Sequence, residues 1–312
     1  MDKNARIFIA GHRGLIGSAF LRRFQQQGFT NILTRTRGQL ELTDRAAVNA
    51  FFAQHKPEYV VMAAGKVGGI VENQQHPADF MNQNLQVQLN MFAAAHEHGA
   101  KRVLFLASSC MYPRECPQPM AENALLTGHP EPTSLAYALA KLAGLQHCLS
   151  YNKQYGAPVF IPVIPNSVYG PNDNFNPATG HVLSALIHRF HEAKANNAPE
   201  VTLWGSGAPC REFLYSDDLA EAGELMLKAE NPALPVNIGP GVDISIRALA
   251  ETIARIIDYK GNLVWDTTKP DGAPRKLLDS TRIKSLGWQP RTSFEDGLRQ
   301  TYDWYLNNWK RP

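Results

Sequence analysis

"RIFIAGHRGLIGSAFLRRFQQQG", Arg6 to Gly28, is the stretch that decides the fold. A four-residue apolar run, "IFIA", meets three glycines, Gly11, Gly14 and Gly17, and an amphipathic stretch follows. That order reads as strand, tight turn and helix. Glycines there permit a positive φ and let the backbone come close to a pyrophosphate at the start of a helix. A G-x-x-G-x-x-G run placed between a strand and a helix points to a dinucleotide.

The following sequence repeats the unit. "NILTRT" reads as a strand, "DRAAVNAFFAQH" as a helix, "YVVMAAG" as a strand, and "NQNLQVQLNMFAAAHEHG" as a long helix ended by Gly99. "RVLFLASS", "SLAYALAKLAGLQHCLSYNKQYG" and "PVFIPVIP" continue as strand, helix and strand. These strands are apolar without polar alternation, the pattern of a parallel sheet covered on both faces. The fold class expected is α/β, a Rossmann doubly wound parallel sheet with a smaller C-terminal α+β substrate domain. Residues 1–170 should form the nucleotide domain, with a return segment near 212–236, and residues 171–211 and 237–312 the substrate domain.

Composition narrows the function classes. The 312 residues carry 19% charged side chains and a net charge of +3, too little to argue for nucleic acid or a membrane surface. Cys110, Cys116, Cys148 and Cys210 form no C-x-x-C pair, so no metal site is expected. The apolar run near the N-terminus is too short for a signal segment, and no run reaches the ~18 apolar residues of a membrane span. A cytoplasmic location is the expectation.

An NAD-binding chain would close its second strand with an acid for the ribose 2′-hydroxyl. Here the strand ends "TRTR", and Arg13 stands in the glycine turn. Guanidiniums match phosphate oxygens, which favours NADPH, with Arg13 and Arg37 as its main 2′-phosphate ligands. Gly11, Gly14, Leu15, Ile16 and Gly17 would supply the turn around it. Arg35 could join them or be a solvated surface charge; Asp44 could lie near the adenine or cap the next helix.

Tyr137 and Lys141 are spaced i, i+4, so a helix puts them on one face. The ammonium would lower the phenol pKa and hold the nicotinamide ribose, and the tyrosine could then protonate a carbonyl receiving hydride. Ser108 closes the strand upstream, as such a pair requires; Ser109, its neighbour, would point the opposite way. Cys110, two residues on, would share the Ser108 face. It could be a small buried hydrophobe or a reacting thiol.

"GHRGLIG", "AAGKVGGI", "SSCMYP", "YALAK", "YGPNDNF", "VTLWGSGAPCREFLYSDD" and "TKPDGAPRKLLD" together resemble the extended short-chain dehydrogenase/reductase family, over nearly the whole chain. Within it they resemble the branch that acts on GDP-4-keto-6-deoxyhexoses. The resemblance implies C3 and C5 epimerisation and NADPH-dependent C4 reduction of GDP-4-keto-6-deoxy-D-mannose to GDP-L-fucose. It implies Ser108, Tyr137 and Lys141 for the hydride step, and Cys110 as base and His181 as acid for the proton steps. Lys141 and His181 would also touch the cofactor. Arg189, Trp204, Arg211 and Asp271 match substrate-binding positions, with Lys284 and Arg275 as lesser candidates, although Trp204 could be core packing. His188 and His191 read as surface or capping residues.

The family pattern is broken in two places. Ser167 takes an expected asparagine slot, with Asn166 one place early, and "PTSLAY" before Tyr137 is more apolar than expected. Both leave room for a 3-deoxy sugar, epimerised at C5 and leading to GDP-L-colitose, or for a heptose. A non-catalytic NADPH-sensing regulator is the reading outside enzymes. The family also implies a homodimer, with the helices around residues 82–99 and 137–156 paired across a two-fold axis; their apolar stripes could equally pack inside one subunit.

Overall fold

Strand β1 (Ile7–Ala10) is buried at every position. Ile7 and Ile9 join one apolar core with Phe20 and Phe24, while Phe8 packs on Phe51 and Phe52 in another. Alternating side chains thus need cover on both faces, and the elements that follow provide it. The computed structural model describes residues 1–309 other than 231, 233 and 270.

After β1 come α1 (Leu15–Gln26), β2 (Ile32–Thr34), α2 (Arg45–His55), β3 (Tyr59–Met62), α3 (Ile70–Gln75), α4 (Pro77–Glu97), β4 (Arg102–Leu106), α5 (Leu135–Tyr155) and β5 (Phe160–Pro165). Next are β6 (Ser167–Tyr169), α6 (Val182–Ala195), β7 (Glu200–Trp204), β8 (Cys210–Arg211), β9 (Phe213–Tyr215) and α7 (Ser216–Lys228). β10 (Val236–Ile238), β11 (Ile244–Ser245), α8 (Ile246–Ile257), β12 (Asn262–Asp266), β13 (Arg275–Lys276), α9 (Thr281–Ser285) and α10 (Phe294–Asn308) follow.

Six strands make one sheet in the order β10-β5-β4-β3-β1-β2, with every pair parallel. Side chains of α2, α4 and α5 fill the core on one face, and those of α1, α7 and α9 the core on the other. The order of strands reverses at β1, which has β2 on one side and β3 on the other. The carboxyl ends of strands at such a reversal are the usual ligand crevice of this kind of sheet. A third core, including Phe190, Leu249, Ile253 and Tyr305, joins α6, α8 and α10. The chain returns to the main sheet through β10, which pairs with β5 at its edge.

Two buried polar side chains hold the main sheet to the later segments. Asn237 of β10 accepts from the Tyr112 hydroxyl at 2.7 Å and donates to the Met120 and Asp279 carbonyls. Glu212 accepts from Asn166 at 2.8 Å, from the Leu278 backbone at 3.1 Å and from the Gly241 backbone at 2.7 Å. Burial pushes the Glu212 carboxyl up, and these donors oppose that push. Helices α4 and α5 pack together within the chain. A Cβ on Gly144 of α5 would stand 2.6 Å from both Gln88 of α4 and Phe105 of β4, so glycine sets how closely they approach. Leu89, Leu139 and Tyr155 are exposed on these two helices.

Candidate active site

The glycine turn leaves β1 through Gly11, at φ +83°. A Cβ there would sit 2.8 Å from the Ala63 backbone at the end of β3, and one on Gly17 would press into the Gly11 carbonyl. Gly14 precedes the first turn of α1, where Leu15, Ile16 and Gly17 lie. No side chain caps that helix start and no acid lies in its first turn. The turn is therefore a cradle that side chains would fill, with helix N–H groups left for an anion. It fits a dinucleotide pyrophosphate. His12, inside the turn, has a buried Nδ1 with no hydrogen-bond partner among the described residues. Burial, and the neighbouring Arg13 charge, hold that ring below its ordinary pKa.

Arg13, inside the turn, and Arg37, three residues past β2, are exposed, Arg37 at 77% of its side chain. Arg37 is not unaccompanied, because its Nε donates to Glu41 Oε2 at 2.6 Å. Its two terminal nitrogens make no hydrogen bond to a described residue, so the fork remains open to a phosphate. The Arg37 hydrogen bond, aided by the Thr43 backbone N–H, pulls the Glu41 carboxyl down to about 2. This acid lies four residues past Arg37, beyond the end of the second strand. Arg35 is neither a phosphate fork nor a free surface charge. It folds back onto the Thr34 carbonyl, lies 5.3 Å from the Phe51 ring and meets His55. Asp44 caps α2, accepting from the Ala46 and Ala47 backbone N–H groups.

Further along the crevice, β4 ends at Leu106 and the chain passes through Ala107 and Ser108 into a one-turn 3-10 helix, Ser109–Met111. Cys110 is thus on a turn and not on the Ser108 strand face. The two are linked differently: the Cys110 backbone N–H donates to Ser108 Oγ at 3.2 Å. Both lie beside the Tyr137 phenol. Burial pushes that phenol above its ordinary value, charge on Cys110 pushes it further, and the Ser108 hydroxyl pulls it back. The expected lowering by Lys141 is absent, because burial dominates and the ammonium is aimed elsewhere. Lys141, 6% exposed, donates to the Leu106 carbonyl at 2.8 Å. Its Nζ lies 5.1 Å from the Phe105 ring centroid and 5.8 Å from that of Tyr137. Burial lowers its pKa to about 8.

Two further residues crowd this lysine. Asn84 of α4 donates to the Lys66 and Phe80 carbonyls at 2.9 and 2.8 Å. A Cβ on Gly65 would meet its Oδ1 at 2.6 Å and stand 3.9 Å from Lys141 Nζ. Sequence reasoning missed both. The signal for them was "AAG" at a strand end and a polar residue on the buried face of a long helix. Ser109 points away into the protein, donating to Asn166 at 3.0 Å. Asn166 is spent on that bridge and on Glu212, while Ser167 starts β6 half-buried. His181 is the exposed N-cap residue of α6, and its side chain caps no N–H. Its loop reaches the Gly65 loop through a Gly69 N–H to Thr179 carbonyl bond of 3.1 Å.

The remaining predicted residues meet near the end of β7. Trp204 is 68% exposed, which rules out core packing, and Lys269 Nζ lies 5.8 Å from its ring. The turn after Trp204 is held by Asp271, which accepts from Ser206 N–H at 2.9 Å and Ser206 Oγ at 2.6 Å. Those two bonds lower the Asp271 pKa. Arg211 donates to the Ala273 carbonyl at 2.7 Å, and Arg189 to the Thr202 carbonyl of β7 at 3.0 Å. Arg189 and Trp204 are thus tied to β7, and Asp271 and Arg211 to the turn and the 271–273 segment beside it. Arg275 is held away by Asp243 at 2.6 Å, and Lys284 sits against Gly241. His188 and His191 are neither caps nor free surface groups, since they bond the Tyr305 and Tyr302 hydroxyls of α10 at 2.8 and 3.0 Å. Among the described residues no cluster of His, Cys, Asp and Glu could hold a metal ion.

The chain resembles known proteins over nearly its whole length. Residues 7–239 match the NAD dependent epimerase/dehydratase family. The chain is 54% identical to a putative GDP-L-fucose synthase 2 of Arabidopsis thaliana, over 99% of this chain and 94% of that protein. It is 50% identical to the GDP-L-fucose synthase of Escherichia coli, over 98% of each. Identity to the GDP-L-colitose synthase of Yersinia pseudotuberculosis is 33%, over 97% and 98%. Among solved structures, a GDP-6-OMe-4-keto-L-xylo-heptose reductase from C. jejuni superposes with a TM-score of 0.92 at 33% identity, covering 98% of this chain and 99% of that one. A GDP-L-fucose synthetase from Naegleria fowleri bound to NADP gives 0.90 at 29%, covering 99% and 94%.

The exposed Arg37 fork yields a cofactor test. Arg37→Ala should weaken NADPH by about tenfold to a hundredfold, the worth of a charge-assisted phosphate contact, and leave NADH within about twofold. Fluorescence titration with both cofactors reads this. Equal losses for the two would show that Arg37 does not read the 2′-phosphate.

Proposed function

The chain belongs to the NAD dependent epimerase/dehydratase family, and on that premise we propose that it converts GDP-4-keto-6-deoxy-D-mannose to GDP-L-fucose, epimerising C3 and C5 and reducing C4 with NADPH. The observation that carries this reading is the thiol of Cys110 on a turn capped by Ser108, with both beside Tyr137. A reductase alone needs the serine, tyrosine and lysine. The thiol adds a proton-exchanging group that reduction alone does not require. The higher identity to fucose synthases than to the colitose synthase favours the 6-deoxyhexose over the 3-deoxy sugar.

The C4 ketone acidifies the C–H bonds at C3 and C5. Cys110 takes one of these protons to leave an enolate, and His181 returns a proton to the opposite face. Tyr137, kept protonated by burial, donates to the C4 oxygen, and Ser108 hydrogen-bonds the same oxygen. When bound, NADPH supplies the hydride to C4. The glycine cradle takes its pyrophosphate, Arg13 and Arg37 its 2′-phosphate, and Lys141 its nicotinamide ribose. Arg189 and Arg211 clamp the GDP diphosphate, Trp204 stacks on the guanine, and Asp271 holds the turn that presents it. The enzyme works in the cytoplasm as a homodimer through the outer faces of α4 and α5. Exposed Leu89, Leu139 and Tyr155 support that surface, and no described helix is long and apolar enough to cross a membrane.

Cys110→Ser tests the proton steps. In deuterium oxide the variant should incorporate solvent label at C3 and C5 at least about a hundredfold more slowly than wild type, while binding NADPH normally. Labelling at the wild-type rate would reduce the enzyme to a simple reductase. Lys141 sets a pH limit on the hydride step. With its pKa lowered to about 8, it loses its ammonium as pH rises past that value. Reduction should therefore be level below about pH 8 and fall about tenfold per unit above it. Single-turnover NADPH oxidation that stays flat from about pH 7 to 9.5 would contradict this role for the ammonium.

A further inference from the structure

The loop leading to His181 contains a buried acid that the scheme above leaves unused. Asp173 is 7% exposed. One of its oxygens accepts from the Asn174 backbone N–H at 2.7 Å, and the other from the hydroxyl of Ser184. Ser184 is fully buried in the first turn of α6, three residues past His181. Asp173 thus ties the incoming loop to the helix that His181 opens. The loop between them is closed on itself: Asn174 Nδ2 donates to Thr179 Oγ1 at 2.9 Å, and the Gly180 N–H to the Asn176 carbonyl at 2.8 Å. A Cβ on Gly180 would run into the carbonyls of Asn174 and Asn176, so the tight path to His181 requires glycine.

A carboxylate offers about four acceptor sites, and two donors leave it under-supplied in a buried setting. Burial pushes the Asp173 carboxyl up, while charge on His181 acts in the opposite sense. The link from Asp173 to His181 runs through the helix start: the Ala185 N–H donates to the His181 carbonyl at 2.9 Å, in the turn that Ser184 anchors. Neighbouring charges across the loop contact are engaged elsewhere: Lys66 faces Asp79 at 3.8 Å and the Phe80 ring at 5.3 Å, and Glu72 of α3 lies against Gly68.

We propose that Asp173 is a positioning residue for His181: its bonds to Ser184 and to the Asn174 N–H fix the first turn of α6 against the incoming loop, and so set where the His181 side chain stands to deliver a proton to the sugar. Asp173 touches no substrate in this arrangement and acts through His181. The inference rests on the reading of His181 as proton donor. It predicts that a substitution under the helix start damages proton transfer selectively, leaving cofactor binding and substrate affinity in place.

The test uses the full-length enzyme and the GDP-4-keto-6-deoxymannose substrate in deuterium oxide without NADPH. Solvent label at C3 and C5 is followed by NMR, and NADPH binding by fluorescence. Asp173→Asn keeps the shape but leaves one accepting oxygen where the structure uses two, and Ser184→Ala removes the hydroxyl. Both should lower the maximal exchange rate by about tenfold to a hundredfold, as a small misplacement of a reacting group does, with KM and NADPH affinity within about twofold. Ser184→Thr, which keeps the hydroxyl, should restore most of the rate. His181→Gln is measured alongside. If it abolishes exchange while Asp173→Asn and Ser184→Ala exchange at the wild-type rate, this inference fails and the reading of His181 stands. If His181→Gln itself exchanges normally, both fall. Parallel losses of exchange and NADPH binding, in Ser184→Thr as well, would mean general damage to the fold and also overturn the proposal.

Discussion

The buried ammonium of Lys141 is the constraint on which the site is built. Taking such a charge out of water costs several kcal/mol, and no carboxylate meets it among the described residues. The Leu106 carbonyl, with the faces of Phe105 and Tyr137, takes that place. Leu106 is the last residue of β4, so a single hydrogen bond locks α5 against the end of a central strand. Tyr137, one turn earlier on the same face of α5, must then stand where Ser108 and Cys110 leave the strand.

Other parts of the site come from segments far apart in the chain, and buried polar bridges hold them in register. Ser109, turned away from the crevice, reaches Asn166, and Asn166 reaches Glu212 next to Arg211. The turn that carries Cys110 is therefore coupled to the segment that carries Arg211. Removing one member of such a bridge leaves its partners buried without a donor or acceptor, which costs more than the bond contributes. The Trp204 turn is fixed in the same way by Asp271, and the far end of α6 by hydrogen bonds from His188 and His191 to α10. Between the two ends of the site lies the loop hydrogen bond from Gly69 to Thr179.

What could be read from the sequence was what is local. The glycine turn, the capping Asp44 and the i, i+4 pair of Tyr137 and Lys141 declare themselves within a few residues, because backbone geometry and helix spacing act at that range. The parallel sheet was legible from apolar strands separated by helices. Non-local pairing was not. Residue type says that Asn166, Glu212 and Asp173 are polar, but not that each is buried. Arg35 and Arg37 look alike in "TRTR", yet one lies over Phe51 and the other is exposed beside Glu41. Cys110 was expected on the strand face because alternation assumes that a strand continues; β4 stops at Leu106 and the chain curls into a turn capped by Ser108. Burial similarly reversed the expected direction of the Tyr137 shift, since it outweighs the Ser108 hydrogen bond and the Lys141 ammonium is turned to the Leu106 carbonyl.

The central claim is that one crevice both inverts carbon centres and reduces the ketone between them. The most direct measurement is the configuration of the product, assigned by NMR, after wild-type enzyme acts on GDP-4-keto-6-deoxymannose with NADPH, and separately on its 3-deoxy analogue. The account predicts GDP-L-fucose from the first, inverted at both C3 and C5, and the first as the preferred substrate. A C4-reduced product that keeps the manno configuration at C3 and C5, or a preference for the 3-deoxy sugar, would contradict it.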